Sequence, residues 1–350
     1  MLEKVILTLI DILFCALKQS TTSSTVRCSL LPPSTLYFIR KATVCLHSFI
    51  PIRADSFAVG MVIDMKDRIQ RISVWKEWLV LTRQFLLILF SDKKNLVISL
   101  AFPVVAAFIT VWIAGENMFV HYEGTKSACF VLVSAAIWGG LFNSIQIIVR
   151  ERQNIRRDYA AGLRLRSYIA SRACVQIVFC ALESLLLSCA LPGVRLRFDN
   201  QLPASGLIIG SAFWEYYISL FMLMCAADAM GVCISCLVKK EESANVVAPY
   251  ILIVQLIFSG ILFAMKGGAE KLSYVMLSRW GMEALGCTSD LNSMPLKIQS
   301  TVPAVPHEVE DMFLCEPEHL LRVWLVLTAF TAVFFVTGGL FLRLVAKDAK

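Results

Sequence analysis

The stretch Ile148 to Tyr168, I-V-R-E-R-Q-N-I-R-R-D-Y-A-A-G-L-R-L-R-S-Y, lies between two long apolar runs and decides how the rest of the chain is read. From Arg150 to Arg172 it carries Arg150, Arg152, Arg156, Arg157, Arg164, Arg166 and Arg172 against only Glu151 and Asp158. A short loop so rich in arginine stays on the cytoplasmic side of a membrane. The flanking runs must then cross in opposite directions. Composition agrees, since 57% of the 350 residues are hydrophobic and 17% charged, with many long runs holding few charges. The expected fold is an all-α, multi-pass integral membrane protein.

Hydropathy predicts six transmembrane helices, each near the roughly 20 residues that a hydrocarbon core requires. They are Leu96 to Ala114, Cys129 to Val149, Tyr168 to Leu191, Phe213 to Val238, Ala244 to Met265 and Leu321 to Leu342. Pro103 should kink the first without abolishing it. Lys239 and Lys240 close the fourth, and Arg343, Lys347 and Lys350 follow the sixth, so both termini are expected in the cytoplasm. The external segments are Gly115 to Ala128, Pro192 to Ala212 and a large loop from Lys266 to His319. In that loop Glu270, Glu283, Asp290, Glu308, Glu310, Asp311, Glu316 and Glu318 outnumber Lys266, Lys271, Arg279 and Lys297, the reverse of the arginine-rich segment. Its first part, Lys266 to Leu291, has helical spacing of Leu272, Val275, Met276, Trp280 and Leu285 and is expected to pack on or dip into the outer membrane face. Pro303 to Pro306 is expected to be loop.

Residues 1–65 form a poorly defined N-terminal segment. Met1 to Leu17 is apolar, but Glu3 and Asp11 interrupt it and no clear cleavage site follows, so it is not taken as a signal peptide. Residues 66–94 mix Trp75, Trp78, Leu79, Phe85 and Leu86 with Arg71, Lys76, Arg83, Lys93 and Lys94. An amphipathic helix of this kind sinks its aromatics into the headgroup boundary and keeps its cations beside anionic lipid. The alternative is a cytoplasmic extension of the first span. Residues 95–350 then make up the six-span domain.

Several function classes lack their residues. The net charge of +7 is placed at the ends of apolar runs, where topology accounts for it, and no basic patch with interleaved aromatics points to nucleic acid. The sequence holds no H-E-x-x-H, no G-x-S-x-G and no G-x-x-x-x-G-K-[ST], so no catalytic residue is assigned and no cofactor is expected in this chain. Of the 12 cysteines most lie in apolar runs, where cysteine behaves as a small hydrophobe. Cys233 and Cys236 form a C-x-x-C without further ligands for zinc, and the four histidines lack ligand spacing, so no metal site is assigned. Cys287 and Cys315 sit in the external polar stretch, and a disulfide between them is a hypothesis that requires an oxidising compartment.

Ionisable groups inside spans are costly and count as functional candidates. Glu183 and Asp228 are the clear cases, as part of a translocation path or as partners of interhelical amides and hydroxyls. Trp138, Phe142 and Asn143 in the second span, with Gln255 in the fifth, suit a substrate pathway of aromatic and amide groups.

R-E-R-Q-N-I-R-R-D-Y-A-A-G-L, followed by Ser167 and Tyr168, resembles the loop after the second span of type-2 ABC exporter permeases, in particular the White-like G subfamily and its bacterial relatives. L-T-R-Q-F-L-L-I-L-F-S-D-K-K-N-L is similar to that family's connecting helix, and S-R-W-G-M-E-A-L-G at Ser278 to Gly286 to its external re-entrant region. The likeness runs from about Val74 to Lys350. It implies a membrane subunit that forms the substrate path as a homo- or heterodimer, and a short coupling helix that meets an ABC ATPase, on which ATP and magnesium act. By position Glu151, Arg156, Arg157, Asp158 and Gly162 match that helix, with Arg150 and Arg152 beside them. Alternating charge on a short cytoplasmic helix suits contacts to a soluble partner. Gln146-Ile147 departs from the family, whose members usually place an Arg-Glu pair there. No ATPase domain precedes the permease in this sequence, which leaves a separate ATPase subunit or a truncated remnant of a fused transporter. The expected function is thus an ATP-driven exporter subunit in the plasma or inner membrane, itself no enzyme. A non-transporting membrane scaffold or sensor is the alternative.

Overall fold

A computed structural model describes residues 73–114, 116–199, 205–261, 263, 267–295 and 310–347, all within the unit Ile72–Lys350. The expectations for residues 1–65, for the start of the 66–94 segment and for the loop Pro303 to Pro306 lie outside the described residues. Among the described residues every regular element is helical.

The chain enters through α1 (Val74–Ser91), an amphipathic helix in which only Phe85 is buried, and turns at Asp92 straight into α2 (Lys93–Ala114). Pro103 is carried inside α2 without ending it. After a turn come α3 (Tyr122–Ser144), the arginine-rich α4 (Ile147–Ala160), α5 (Leu165–Ser188) and the short α6 (Ala190–Phe198). Then follow α7 (Ala212–Leu237), α8 (Glu241–Ile257), α9 (Gly268–Ser273), α10 (Leu277–Thr288), a 3-10 turn at Asp311–Phe313 and the long α11 (Pro317–Lys347).

Among the described residues five stretches are long and apolar enough to cross a membrane: Leu96–Ile113, Tyr122–Ala160, Leu165–Phe198, Ala212–Leu237 and Pro317–Val345. They coincide with five of the six expected spans. Of the remaining one, expected at Ala244 to Met265, the described helix is the 17-residue α8, which ends at Ile257. There Ser259 N–H turns back to the Leu256 carbonyl and Gly260 takes φ +84°, so the backbone leaves the helix before the apolar run is exhausted. Two segments expected to be external loops are partly helical, because α3 begins at Tyr122 and α6 continues from α5 to Phe198.

α7 is the axis of the bundle, with 78% of its most apolar stretch buried against 17% for α11 and 22% for the α2 stretch. α3 and α11 pack most closely on it, then α5 and α10. Small residues permit this. At Gly140 of α3 an added Cβ would lie 2.5 Å from the Met224 carbonyl oxygen of α7, so the two backbones touch. Ser144 Oγ crosses the same seam to donate to the Asp228 carbonyl at 2.8 Å. Trp324 of α11 donates from Nε1 to Ser219 of α7 at 2.9 Å. α2 and α11 instead expose rows of apolar side chains, among them Val97, Val104, Phe108, Val333 and Val336, as a surface meant for lipid does.

At the far end of α7 from α4, α10 is buried along nearly its whole length between α7, α11 and α3. Tyr216 of α7, Cys129 of α3 and Ser289 meet there through their polar atoms.

Candidate functional site

The arginine-rich end of the bundle is built around α4, and its geometry begins with the helix termini. A helix leaves its first N–H groups and last C=O groups without internal partners. The Ile148 and Val149 N–H groups of α4 donate to Ser235 Oγ of α7 at 3.0 and 3.2 Å, so a serine from another helix does what an N-cap side chain ordinarily does. Arg152 returns the bond by donating from Nη1 to the Val238 carbonyl just past the end of α7, at 2.9 Å. One turn on, Arg156 Nε donates to the Val345 carbonyl near the end of α11 at 3.2 Å. Each guanidinium thus sits at the negative end of a helix dipole, where a cation is stabilising. At its own end α4 stops in a Schellman motif: Leu163 N–H bonds the Asp158 carbonyl at 2.9 Å and Gly162 N–H the Tyr159 carbonyl at 3.0 Å. Gly162 has φ +106°, which glycine adopts without steric cost.

Glu151 also points inward. Its Oε2 accepts from the Tyr168 hydroxyl at 2.5 Å and its Oε1 pairs with Arg172. The Arg172 guanidinium lies 3.6 Å from the centroid of the Phe85 ring, and Phe85 meets Tyr168 edge to face at 5.5 Å. Phe85 belongs to α1, so this cluster fastens α1, α4 and α5 together. A second fastening lies at Glu77 of α1, which accepts the Arg164 backbone N–H at 2.9 Å at the start of α5 and has its other oxygen 3.7 Å from the Arg164 guanidinium.

Of the expected coupling residues, then, Glu151, Arg152 and Arg156 are held against other helices. Arg157 and Asp158 face outward, 78% and 50% exposed and 3.5 Å apart. Arg150 is half-exposed, 3.3 Å from Glu241 of α8. Gln146, at the departure from the family pattern, bridges Arg150 and Asn245, so an amide adds to the Arg150–Glu241 pair in joining α4 to α8.

The expected pathway residues divide as well. Phe142 and Asn143 line a cavity of about 420 Å³ with Gln176 and Phe179 of α5, Phe85 of α1 and Ser99 of α2. Trp138 is exposed on α3 and stacks on Phe142, with ring centroids 5.4 Å apart. Gln255 does not reach that cavity: its side-chain oxygen accepts from Ser278 N–H at 3.1 Å and its carbonyl from the Ser278 hydroxyl, fixing α10 to α8. Both acids in the spans are buried and bonded to amides. Asn143 donates to Glu183 at 2.6 Å and Gln176 to Asp228 at 2.7 Å.

At the other end of the bundle Cys287 and Cys315 are neighbours and both are free thiols. Cys287 Sγ donates to the Leu314 carbonyl at 2.9 Å and Cys315 Sγ to the Cys287 carbonyl at 3.2 Å. Glu283 of α10 is buried with Arg279 Nε at 3.8 Å and His319 Nε2 at 3.0 Å. Burial raises its carboxyl to about 7, and Arg279 and Arg322 only partly oppose that.

Sequence reasoning missed Ser235, Tyr168, Phe85 and Glu77 as partners of α4 and α5. A serine near a helix end and a tyrosine after an arginine-rich turn are too common to single out, and only proximity across elements gives them a role.

Residues 76–286 match the family described as ABC-2 type transporter. The ABC transporter ATP-binding/permease protein Rv1747 of Mycobacterium tuberculosis is 22% identical over 229 residues, which cover 63% of this chain and 26% of that protein. The chain thus corresponds to about a quarter of that relative's length. With a match over more than half of its residues, five helices able to cross a bilayer among the described residues and the arginine-rich helix docked at one end of them, the chain belongs to the ABC-2 type transporter family, as an integral membrane permease.

Proposed function

We propose that the chain forms one half of the substrate path of an ATP-driven exporter and receives the stroke of a partner ATPase through α4. In this reading residues 66–94 are the connecting helix and residues 95–350 the permease domain, with α8 and the residues up to Met265 completing a sixth span. The arginine-rich end faces the cytoplasm with both termini, and α9, α10 and the acid-rich segment face outward. Two such chains, identical or not, enclose the path, and ATP and magnesium are held by the ATPase.

The observation that supports coupling through α4 is the division of its charges. Arg152, Arg156, Glu151 and Arg150 tie it to α7, α11, α5 and α8, while Arg157 and Asp158 lie side by side on the exposed face, where a soluble partner can reach them. A helix joined to four others moves them when it moves, and an exposed pair of opposite charges provides charge-assisted bonds to a docking surface. Phe142, Asn143 and the cavity beside them line the inner part of the path, and Glu183 and Asp228 hold their helices in register through Asn143 and Gln176. Cys287 and Cys315 close a disulfide in an oxidising compartment.

The test is reconstitution with a candidate ABC ATPase. Exchanging Arg157→Ala and Asp158→Ala together should leave abundance unchanged and lower the ATP turnover that the chain stimulates by about tenfold, the loss of one good charge-assisted contact. Asn154→Cys, on the same exposed face, should crosslink to the ATPase. Full stimulation by the double variant, with no crosslink from Asn154→Cys, would remove α4 as the coupling element.

A further inference from the structure

Arg166 and Arg343 have no place in the coupling scheme above. Arg166 lies at the first turn of α5 and Arg343 in the last turns of α11, both exposed. Neither forms an ion pair or a side-chain hydrogen bond among the described residues, unlike Arg152, Arg156, Arg164 and Arg172. They line the same two adjoining cavities. One, of about 450 Å³, is a trough between α5 and α11 floored by Ile169, Ala170, Ala173 and Gly339 and walled by Phe335 and Leu340. The other, of about 610 Å³, continues from Arg166 and Arg343 towards Tyr159, Ser167 and Arg164. Among the described residues no acid lines either cavity.

The trough exists because its floor residues are small. At Gly339 an added Cβ would already stand 3.2 Å from Ile169, so α5 and α11 come close there and leave a channel on their outer side where longer side chains would fill it. Its walls are open to the surroundings, with Val336 and Leu340 exposed. An apolar channel on a lipid-facing surface, ending in two unpaired guanidinium groups at the headgroup level, is complementary to one ligand chemistry. Acyl chains fill the channel, and a phosphate at its mouth takes charge-assisted bonds from two forks that match its geometry.

We propose that the α5/α11 trough binds an anionic phospholipid of the cytoplasmic leaflet, with its phosphate between Arg166 and Arg343. The assignment rests on the membrane orientation proposed above. The site joins the third membrane stretch to the last one beside the carbonyl that Arg156 grips, so a bound lipid braces the mount of α4.

The probes are dioleoyl phosphatidylglycerol and dioleoyl phosphatidylcholine, added to the purified full chain in detergent and counted by native mass spectrometry. The wild type should retain the glycerol lipid at least about tenfold more strongly than the choline lipid, and Arg166→Gln or Arg343→Gln should each lower that retention about fivefold, the pair about thirtyfold. Ala170→Leu, which leaves both arginines in place, should lower retention of either lipid by narrowing the trough. Inorganic phosphate should displace no more lipid than chloride does at equal ionic strength. Equal retention of the two lipids by the wild type, wild-type retention by both Ala170→Leu and the double arginine variant, or specific displacement by inorganic phosphate would each overturn the proposal. The counts in detergent do not depend on sidedness, which is read separately by labelling Asn154→Cys and Lys271→Cys from the two faces of intact membranes. A wrong orientation and a missing lipid site therefore give different results.

Discussion

α4 and α10 carry the same chemistry, arginine beside glutamate, at opposite ends of α7, and they use it differently. At α4 the inward charges meet groups placed to receive them: Arg152 and Arg156 find carbonyls at the ends of α7 and α11, and Glu151 takes both Tyr168 and Arg172. At α10 the Arg279, Glu283 and His319 side chains are only 12%, 8% and 10% exposed. Arg279 Nη1 donates to Ser273 Oγ at 2.6 Å, but Arg279 Nε, Glu283 Oε2 and His319 Nε2 are buried without a hydrogen bond. Among the described residues of the α4 end only the spare guanidinium nitrogens Arg172 Nε and Arg164 Nη1 are so left. His319 stands 3.0 Å from Glu283 without the alignment a hydrogen bond needs. The difference teaches that nearness of opposite charges does not decide stability. Pairing in register with helix ends fixes α4, whereas at α10 desolvation outweighs pairing and leaves the energy dependent on a proton.

Removing one partner at the α4 end should therefore have the largest effect. Glu151→Ala leaves the Arg172 guanidinium, 12% exposed, without its carboxylate, and should lower stability by about 3 kcal/mol. Thermal unfolding in detergent measures it, and adding Arg172→Met should recover part of the loss because no buried charge then remains unpaired. A Glu151→Ala chain that melts with the wild type would erase the contrast between the two ends.

The α10 end should respond to pH instead. Glu283 has an ordinary value of 4.5 and a folded value of about 7, so the folded chain keeps a proton that the unfolded chain has released in between. The stability this contributes is full below pH 4.5 and is lost as pH rises through about 7, with Arg279, Arg322 and His319 as the facing groups. The change should amount to about 2 kcal/mol after screening at the membrane surface. Glu283→Gln should flatten the melting temperature across that window, and a slope unchanged in the variant would assign the titration elsewhere.

The smallest effect separates how the two helices stop. α10 also ends in a Schellman pattern, with Leu291 N–H on the Gly286 carbonyl and Asp290 N–H on the Cys287 carbonyl, but it places Asp290 at φ +54° where α4 has Gly162. Gly162→Ala should cost about 1 kcal/mol and Gly162→Asn less, since asparagine tolerates the left-handed region. Equal stabilities in chemical denaturation would mean that the α4 terminus does not depend on this glycine.

Much of the fold was legible in the sequence because a bilayer imposes one-dimensional rules. The spans expected at Leu96 to Ala114, Cys129 to Val149, Tyr168 to Leu191, Phe213 to Val238 and Leu321 to Leu342 follow from run length alone. Each falls on a helical stretch able to cross a membrane, though run length did not show that two of those stretches extend to Tyr122 and Phe198. The fifth apolar run was read by the same rule, but the turn at Phe258 to Gly260 is a local backbone event that hydropathy does not register. The candidate site was half legible. The arginine-rich stretch announces a helix of unusual charge, yet its composition does not tell Arg152 from Arg157, because the two differ only in what stands opposite them.

By itself the sequence determined that the chain is helical, apolar enough to span a membrane and charged at one turn, since those properties depend on residues close together along the chain. Only the tertiary structure decided that Ser235 caps α4, that Phe85 receives Arg172, that Gln255 holds α10 and that Arg166 and Arg343 share a trough. Each of these joins residues from different helices. Which side chains meet there is set by helix rotation and by close approaches such as Gly140 against Met224, which no local pattern encodes.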